Sequence, residues 1–538
     1  RNALLTLLIA ECLENKSRFI DDIINGIWVI CNEASWVIPA HNQREKEKTI
    51  SPLPDITKKP IIDLFSAETA ALLTLVYYLL NSKLDQETPL INKRLKYLVK
   101  KRLINPYLKR QFHWMGFEKD KIGNWNPWIN SNCLFCILIF EEDPEKRIAG
   151  VKKVMKSLDV HINSYNRDGG CSEGPHYWAH AGANLFECLD FLYDATNGKI
   201  NIYEEELIKN IGKYIYRVHI DDDYYINFAD GNARNQEPGA LIYRFGKKID
   251  DSNMMGFGAY LYQKQHKLHR YGMIFSIRAV NAVLNHQEVY NYPAKLPYIK
   301  NYYFEDLQLM IARENQSKKG FYIAAKGGNN DEFHNHNDVG NFIIFNNGKP
   351  LIIDPGVERY TAKTFSKNRY SIWTMQSGFH NCPTVNGLMQ KNGSEYTAKN
   401  VKYKQINQQV NFEVDIADAY PEESLINFWK RKINFFRLEK ARLEIVDNLS
   451  LKSLSDDIYL NIMTACKPFK KDKGILCFKD HQDIVMSYEE NKLKIKIEEI
   501  PINDIKIKKS FGDFLYRIRF KSRYKVKNEL FKLAIYSI

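Results

Sequence analysis

Asn341-Phe342-Ile343-Ile344-Phe345-Asn346-Asn347-Gly348-Lys349-Pro350-Leu351-Ile352-Ile353-Asp354-Pro355-Gly356 reads as two apolar runs folded about an Asn-Asn-Gly turn. Branched and aromatic residues favour the pleated strand, and Asn and Gly accept the positive φ that a tight hairpin requires. Immediately upstream stands Phe333-His334-Asn335-His336-Asn337-Asp338-Val339-Gly340. Read as the start of the strand, it turns His334 and His336 to one face, because side chains alternate with period two. The hairpin then returns Asp354, eighteen residues after His336, beside that histidine. His380, in Gly378-Phe379-His380-Asn381, offers a third ligand from a later loop. Two imidazoles and a carboxylate suit zinc or another divalent transition metal. The plainer alternative is a hydrogen-bonded histidine cluster at a strand end, and the grouping favours the metal.

Working outward, strand-like stretches continue on both sides of this hairpin. They are Leu307–Arg313, Gly320–Ala325, Val410–Ile416, Ile433–Phe436, Arg442–Val446, Lys492–Ile497 and Leu530–Tyr536, separated by Asn, Asp and Gly turns. Before about Pro297 the period changes. Apolar residues recur at three- and four-residue spacing over Leu4–Leu13, Phe19–Ile30, Ser66–Leu80, Asn132–Phe140, Ile148–Ile162, Ala179–Tyr193 and Glu204–Val218. Ser66 is the expected N-cap of its helix. The expected architecture is therefore α+β and multidomain. Residues 1–297 form an (α/α) toroid of helix pairs, and residues 298–538 an antiparallel β-sandwich carrying the metal site.

At 538 residues, 44% hydrophobic and 26% charged, the composition is that of a folded globular chain. No run of eighteen apolar residues appears, so no ordinary membrane span is expected. The net charge of +13 points to a polyanionic partner. Nucleic acid fits that charge equally well, but no basic helix, zinc finger or RNA-binding aromatic motif accompanies it. Nine cysteines, mostly in apolar surroundings, read as buried thiols, and the lone Cys133-x-x-Cys136 runs into an apolar stretch unsuited to metal.

Three further clusters carry polar chemistry. Asp168-Gly169-Gly170-Cys171-Ser172-Glu173-Gly174-Pro175-His176-Tyr177-Trp178 is a shaped loop at a helix entrance, and its Glu173, His176 and Tyr177 are functional candidates. Gly123-Asn124-Trp125-Asn126-Pro127-Trp128-Ile129-Asn130-Ser131-Asn132 offers Trp125 and Trp128 as sugar-stacking rings. Its asparagines, Asn126 and Asn132 among them, are candidates to bind carboxylates or hydroxyls. Core packing is the strong alternative for the tryptophans. In Asn227-Phe228-Ala229-Asp230-Gly231-Asn232-Ala233-Arg234, Arg234 is a candidate to pair with a substrate carboxylate, with a solvated surface arginine as the alternative.

The order of these motifs, from Trp36, Pro39, His41 and Asp63-Leu64 through Asn124–Trp128 and Asp168–Tyr177 to His334–Gly340 and Asp354-Pro355-Gly356, resembles the heparinase II/III-type lyases. The resemblance spans roughly Trp36 to Gly387 and is most specific in the two His-containing and DxG segments. It implies an (α/α) toroid followed by antiparallel sheets, and β-elimination across C4–C5 of a uronate in glycosaminoglycan or alginate. It also implies a structural divalent metal, zinc or manganese, at His336, Asp354 and His380.

Such an elimination needs the uronate carboxylate neutralised, a base at C5 and an acid at the departing oxygen. The resemblance assigns the first task to Asn126 and proton transfer to Tyr177 and His334, with the phenol pKa lowered by nearby cations. Hyaluronan, chondroitin and heparan sulfate are the expected substrates, ahead of alginate. A periplasmic or secreted bacterial location is expected, with a leader missing from the Met-less start. The competing readings are a glycoside hydrolase using Glu173 and Asp168, and a non-catalytic sugar-binding protein using Trp125 and Trp128.

Overall fold

The computed structural model describes residues 1–42, 60–118, 122–265 and 276–538. They divide into two compact units. The first comprises Arg1–Tyr165, Trp178–Gly212 and Glu237–Leu296, and the second Asn166–Tyr177, Lys213–Gln236 and Pro297–Ile538. The change of period at Pro297 thus marks where the main body of the second unit begins. Two earlier segments, including the Asp168–Tyr177 loop, also belong to that unit.

The first unit is helical. Helix α1 (Leu64–Glu87) packs on α2 (Pro89–Val99) and on α3 (Trp125–Phe140), and α3 packs in turn on α4 (Pro144–Ser164) and α5 (Gly182–Ala195). The cap of α1 is Asp63 rather than Ser66. Asp63 accepts from the Ser66 amide while the Ser66 hydroxyl accepts from the Asp63 amide, so Ser66 occupies the third helical position of a capping box. Among the described residues α1 is the one helix long and apolar enough to cross a membrane, and most of its apolar stretch is buried inside the unit. Helix α3 begins seven residues before the expected Asn132, since Pro127 is tolerated in a first turn whose amides need no helical partner. Helices α6 (Gly239–Lys248) and α7 (Ser252–Lys264) cross with backbones nearly touching, and a Cβ on Gly239 or Gly258 would collide with the facing chain.

The second unit holds two large antiparallel sheets, of nine and eight strands, beside two two-stranded ones. The nine-stranded sheet contains β1 (Leu309–Arg313), β2 (Phe321–Lys326), β3 (Phe342–Asn346) and β4 (Lys349–Ile352) as neighbours in that order. The expected hairpin is β3–β4, closed by Asn347 and Gly348 at φ 51° and 76°. In the eight-stranded sheet β5 (Ile426–Phe436), β6 (Arg442–Ser455) and β7 (Val526–Ser537) lie side by side. Met310, Ile323, Phe342 and Ile344 from one sheet share a single core with Ile433, Ile445, Leu533 and Ile535 from the other, which makes the pair a sandwich.

Arg431 on β5 ties this core to the loops around β3. Fully buried, it holds Asp447 of β6 through two guanidinium nitrogens at 2.8 and 2.9 Å. Its third nitrogen donates to the carbonyls of Gly340 and Asn381, next to the His336 and His380 segments. A buried charge with every nitrogen engaged fixes loop positions that strand pairing alone leaves free.

Candidate active site

The polar centre of the second unit is Asp230, which the sequence reading passed over as part of a turn. Its carboxylate is wholly buried. One oxygen lies 2.8 Å from His334 Nδ1 and accepts from the Tyr360 hydroxyl at 2.8 Å. The other lies 3.0 Å from His336 Nε2 and accepts from Arg369 at 2.7 Å. Burial alone would raise this carboxyl, but the bonds from His334 and His336 and the Arg369 charge hold it far below the usual carboxylate range. Asp230 is therefore an anion, and both imidazoles donate to it.

The two histidines do not share a strand face. They precede β3 in a loop, and His334 adopts a left-handed conformation at φ 57°, so period-two alternation does not apply. What unites them is the shared carboxylate. His334 is partly exposed, its Nε2 lies 3.3 Å from the Glu173 carboxylate, and its ring stacks on Tyr177 with centroids 4.2 Å apart. The Tyr177 hydroxyl meets that of Tyr360, linking it to Asp230. Gly174, at φ 93°, lets the Glu173–Tyr177 loop approach the Phe228 carbonyl beside Asp230.

Tyr177 departs from expectation in one respect. Its phenol is not acidified by cations: burial is the largest influence and raises its pKa, and the carboxylates of Asp230 and Glu173 add to the rise. The phenol is therefore protonated at neutral pH. His176 stays neutral, pushed down to about 4 by burial and by the charges of Lys506 and His334. Lys506 lies 5.3 Å from the centre of the Tyr360 ring and brings a cation to the cluster.

His336, Asp354 and His380 also come together, all three fully buried, with ligand atoms within 4.8 Å of one another. His380 Nδ1 lies 3.0 Å from an Asp354 oxygen, which leaves His380 Nε2 without a partner. His336 Nε2 is held by Asp230, which leaves His336 Nδ1 without one. Two unpartnered imidazole nitrogens beside a buried carboxylate fit a divalent cation, with Asp230 orienting one ligand.

Other candidates are placed differently. Asn126, in the first unit, is completely buried, and its amide donates to the carbonyls of Trp114, Met115 and Ser157 and to the Ser157 hydroxyl. Its amide is thus engaged inside the unit as a lock between elements, not presented to a substrate carboxylate. Trp128 is also core: it donates to Glu68 at 2.7 Å and stacks on His180. Asn132 is buried and bonds back to the Trp128 carbonyl within its own helix. Trp125 is half-buried against His41 and His113. Arg234 is the solvated arginine of the alternative reading, exposed over the Tyr224 ring and 3.8 Å from Asp222.

Of the two hydrolase candidates, Glu173 lies beside His334. Asp168 accepts from the amides of Gly170, Asp306 and Leu307, so its carboxylate pins one loop to another. All nine cysteines are free thiols, eight of them buried.

Residues 304–501 match the family described as Heparinase II/III-like, C-terminal. Among solved structures the chain is similar to the heparan sulfate lyase HepC from Pedobacter heparinus, at 13% identity and TM-score 0.65, covering 99% of this chain and 75% of that one. A heparinase III matches at 12% identity and TM-score 0.66, covering 99% and 75% of the respective chains. The chondroitin AC lyase from Streptomyces coelicolor A3, in complex with chondroitin sulphate, matches at 8% and 0.57, covering 99% and 73%. No curated protein matches the chain by sequence. Residues 304–501 thus resemble the C-terminal domain of that family, and the chain shares the fold of these lyases. The matched domain and the structures the chain resembles support an enzyme of the lyase class.

Proposed function

We propose that this enzyme cleaves a glycosaminoglycan of the hyaluronan, chondroitin or heparan sulfate type by β-elimination, with His334 as base and Tyr177 as acid. The observation that carries the reading is the stacked Tyr177–His334 pair on one anionic support, Asp230. With the Nδ1–H of His334 donating to Asp230, the Nε2 on the Glu173 side is the ring nitrogen left to accept the C5 proton of a uronate. Tyr177, kept protonated by burial, donates its phenolic proton to the oxygen leaving C4. Tyr360, bonded to both Tyr177 and Asp230, is the route by which that proton is replaced. Lys506 supplies the positive charge that the substrate carboxylate needs before C5 becomes acidic, the task first assigned to Asn126.

His336, Asp354 and His380 would hold a divalent cation, zinc or manganese. Bound there, it cross-links the loop before β3 to the two later loops and fixes the His336–Asp230 contact from which His334 is also held. We read the helical unit as the (α/α) toroid of the resemblance, supported by its serial helix pairing, and the location as periplasmic or secreted.

The test is incubation with a panel of glycosaminoglycans and alginate while following ultraviolet absorbance. An unsaturated uronate that absorbs, formed from at least one glycosaminoglycan, is the expected result. Reducing ends without absorbance would show hydrolysis, and no product from any member would leave only binding.

A further inference from the structure

One end of the nine-stranded sheet carries a block of cations that the elimination does not use. There the edge strand Leu493–Pro501 pairs with Phe514–Ser522, which pairs in turn with Ile458–Thr464. Leu493, Ile518, Phe520, Leu460 and Ile462 turn inward to the core shared by the two sheets. By alternation Lys494, Lys496, Arg517, Arg519, Lys521 and Tyr459 turn outward. All of them belong to the second unit.

The register sets like charges against one another. Lys494 stands directly opposite Lys521, and Lys496 directly opposite Arg519. Neighbouring strands lie about 4.8 Å apart and successive outward residues about 7 Å apart, so these four form a compact block. Like charges directly opposite destabilise a sheet, and few carboxylates relieve these. Glu498 is shared by Lys496 at 3.1 Å, Arg519 at 3.7 Å and Arg517 at 2.8 Å. Lys521 has Asp457 at 3.9 Å, and the exposed Lys494 has no ion pair among the described residues. Arg517 is committed elsewhere, donating to the Gly378 carbonyl and lying over the Phe379 ring.

We infer that Lys494, Lys496, Arg519 and Lys521 form a second binding site, additional to the elimination centre, for a stretch of sulfate- or carboxylate-bearing polysaccharide. It tethers a long chain while another stretch of that chain is cleaved. The inference rests on the lyase reading for the class of its occupant. A linear polyanion faces all four cations at once and relieves the repulsion that the register imposes. Nucleic acid and anionic membrane fit less well. Arg519 lies over the Tyr459 ring at 3.9 Å and Lys521 reaches it at 5.2 Å, so a base finds no open aromatic face beside them. No apolar side chain stands among the four to enter a lipid surface.

The experiment titrates fluorescein-labelled heparin with the full chain over a range of salt concentrations. Lys494→Gln/Lys496→Gln should weaken binding at low salt by at least about fivefold, the order that one cation near an anionic surface contributes. It should also reduce the slope of log affinity against log salt by roughly 1.4–1.8, the counterion release of two contacts. Lys402→Gln/Lys404→Gln removes the same charge from the strand Lys399–Ile406 of the other sheet and should change neither. Equal losses in the two variants, or none in the first, would overturn the inference. So would duplex DNA or phosphatidylglycerol vesicles bound as tightly as heparin and released by the same substitution.

Lys494→Glu sets a carboxylate opposite Lys521. It should melt at a higher temperature than the parent at low salt without polymer, yet bind heparin more weakly. A melting temperature at or below the parent's would remove the repulsion read from the register, and the inference with it. On a long polymer that the parent cleaves, Lys494→Gln/Lys496→Gln should raise KM several-fold at unchanged kcat, and on a tetrasaccharide it should change neither. Equal effects on long and short substrates would refute the tether. If no polymer yields unsaturated product, it is the lyase reading that fails, and the heparin titration alone decides the binding site.

Discussion

The imidazole of His334 lies against the phenol ring of Tyr177, centroids 4.2 Å apart and planes 24° from parallel. Stacking keeps the two proton-carrying groups on one side of the site, so one substrate face meets both. It also makes the two roles separable by substitution, because removing the phenol oxygen leaves the stacked ring in place.

Tyr177→Phe should therefore fold normally and lose turnover by roughly 10²–10⁴-fold, the usual cost of losing a general acid or base. Substrate binding should be largely kept. Steady-state kinetics beside a thermal melt checks this. Near-normal activity in Tyr177→Phe, combined with its abolition in Glu173→Gln, would favour a carboxylate-driven mechanism.

Asp230→Asn keeps the shape of the side chain but removes the anion that four cationic or donor groups face. Withdrawing one member of a buried ionic network typically costs about 3–5 kcal/mol. Denaturant unfolding should show a loss of that order, and turnover should fall with it. A variant of unchanged stability would mean that His336 and Arg369 are held by something else.

Lys506→Met removes a cation while keeping the stem that covers Tyr360. Catalytic efficiency on uronate polymers should drop by at least about tenfold if the charge serves the substrate carboxylate. The drop should lessen on a substrate whose carboxylate is esterified. Equal losses on both would assign Lys506 a purely structural role.

Elemental analysis of protein prepared without chelator should find close to one divalent metal per chain. His336→Ala and His380→Ala should each lose it and melt at lower temperature. Metal retained in either variant would exclude that residue as a ligand.

Glu237, fully buried in the first unit, has its carboxyl raised from 4.5 to about 8 by burial, which outweighs the pull of Arg278. Below pH 4.5 both folded and unfolded chains carry the proton. As pH rises from 4.5 towards 8 the unfolded chain releases it and the folded chain keeps it, so stability falls, by at most about 1.4 kcal/mol per pH unit. Glu237→Gln should flatten that part of the profile and be relatively more stable at pH 8. Identical slopes in urea-unfolding series would sink this.

The β-half was legible because strand alternation and an Asn-Asn-Gly turn are local signals, and the helical half because its apolar spacing is. Tyr177, His334 and the His336–Asp354–His380 grouping were found from dense polar motifs. Tyr360 escaped because it stands in no such motif, and Asp230, although inside the Asn227–Arg234 cluster, was passed over for Arg234 because it gains its meaning only when loops 104 residues apart in sequence meet. Asn126 was singled out for the converse reason: its neighbours looked functional, whereas its buried amide locks elements of the helical unit together. The pKa of Tyr177 was misjudged in direction because burial, which outweighs the nearby charges, is invisible in a list of residues.

The second unit begins in earnest at Pro297, yet it includes residues 166–177 and 213–236. A fragment cut at the visible change of composition would keep His334 and all three prospective metal ligands while discarding Tyr177, Glu173 and Asp230. On the proposed mechanism it would be a sandwich without its acid and without the carboxylate that supports its base. The reaction would then not be inherited with the C-terminal half as a cassette, and recombination at the apparent seam would separate the proposed acid from the proposed base.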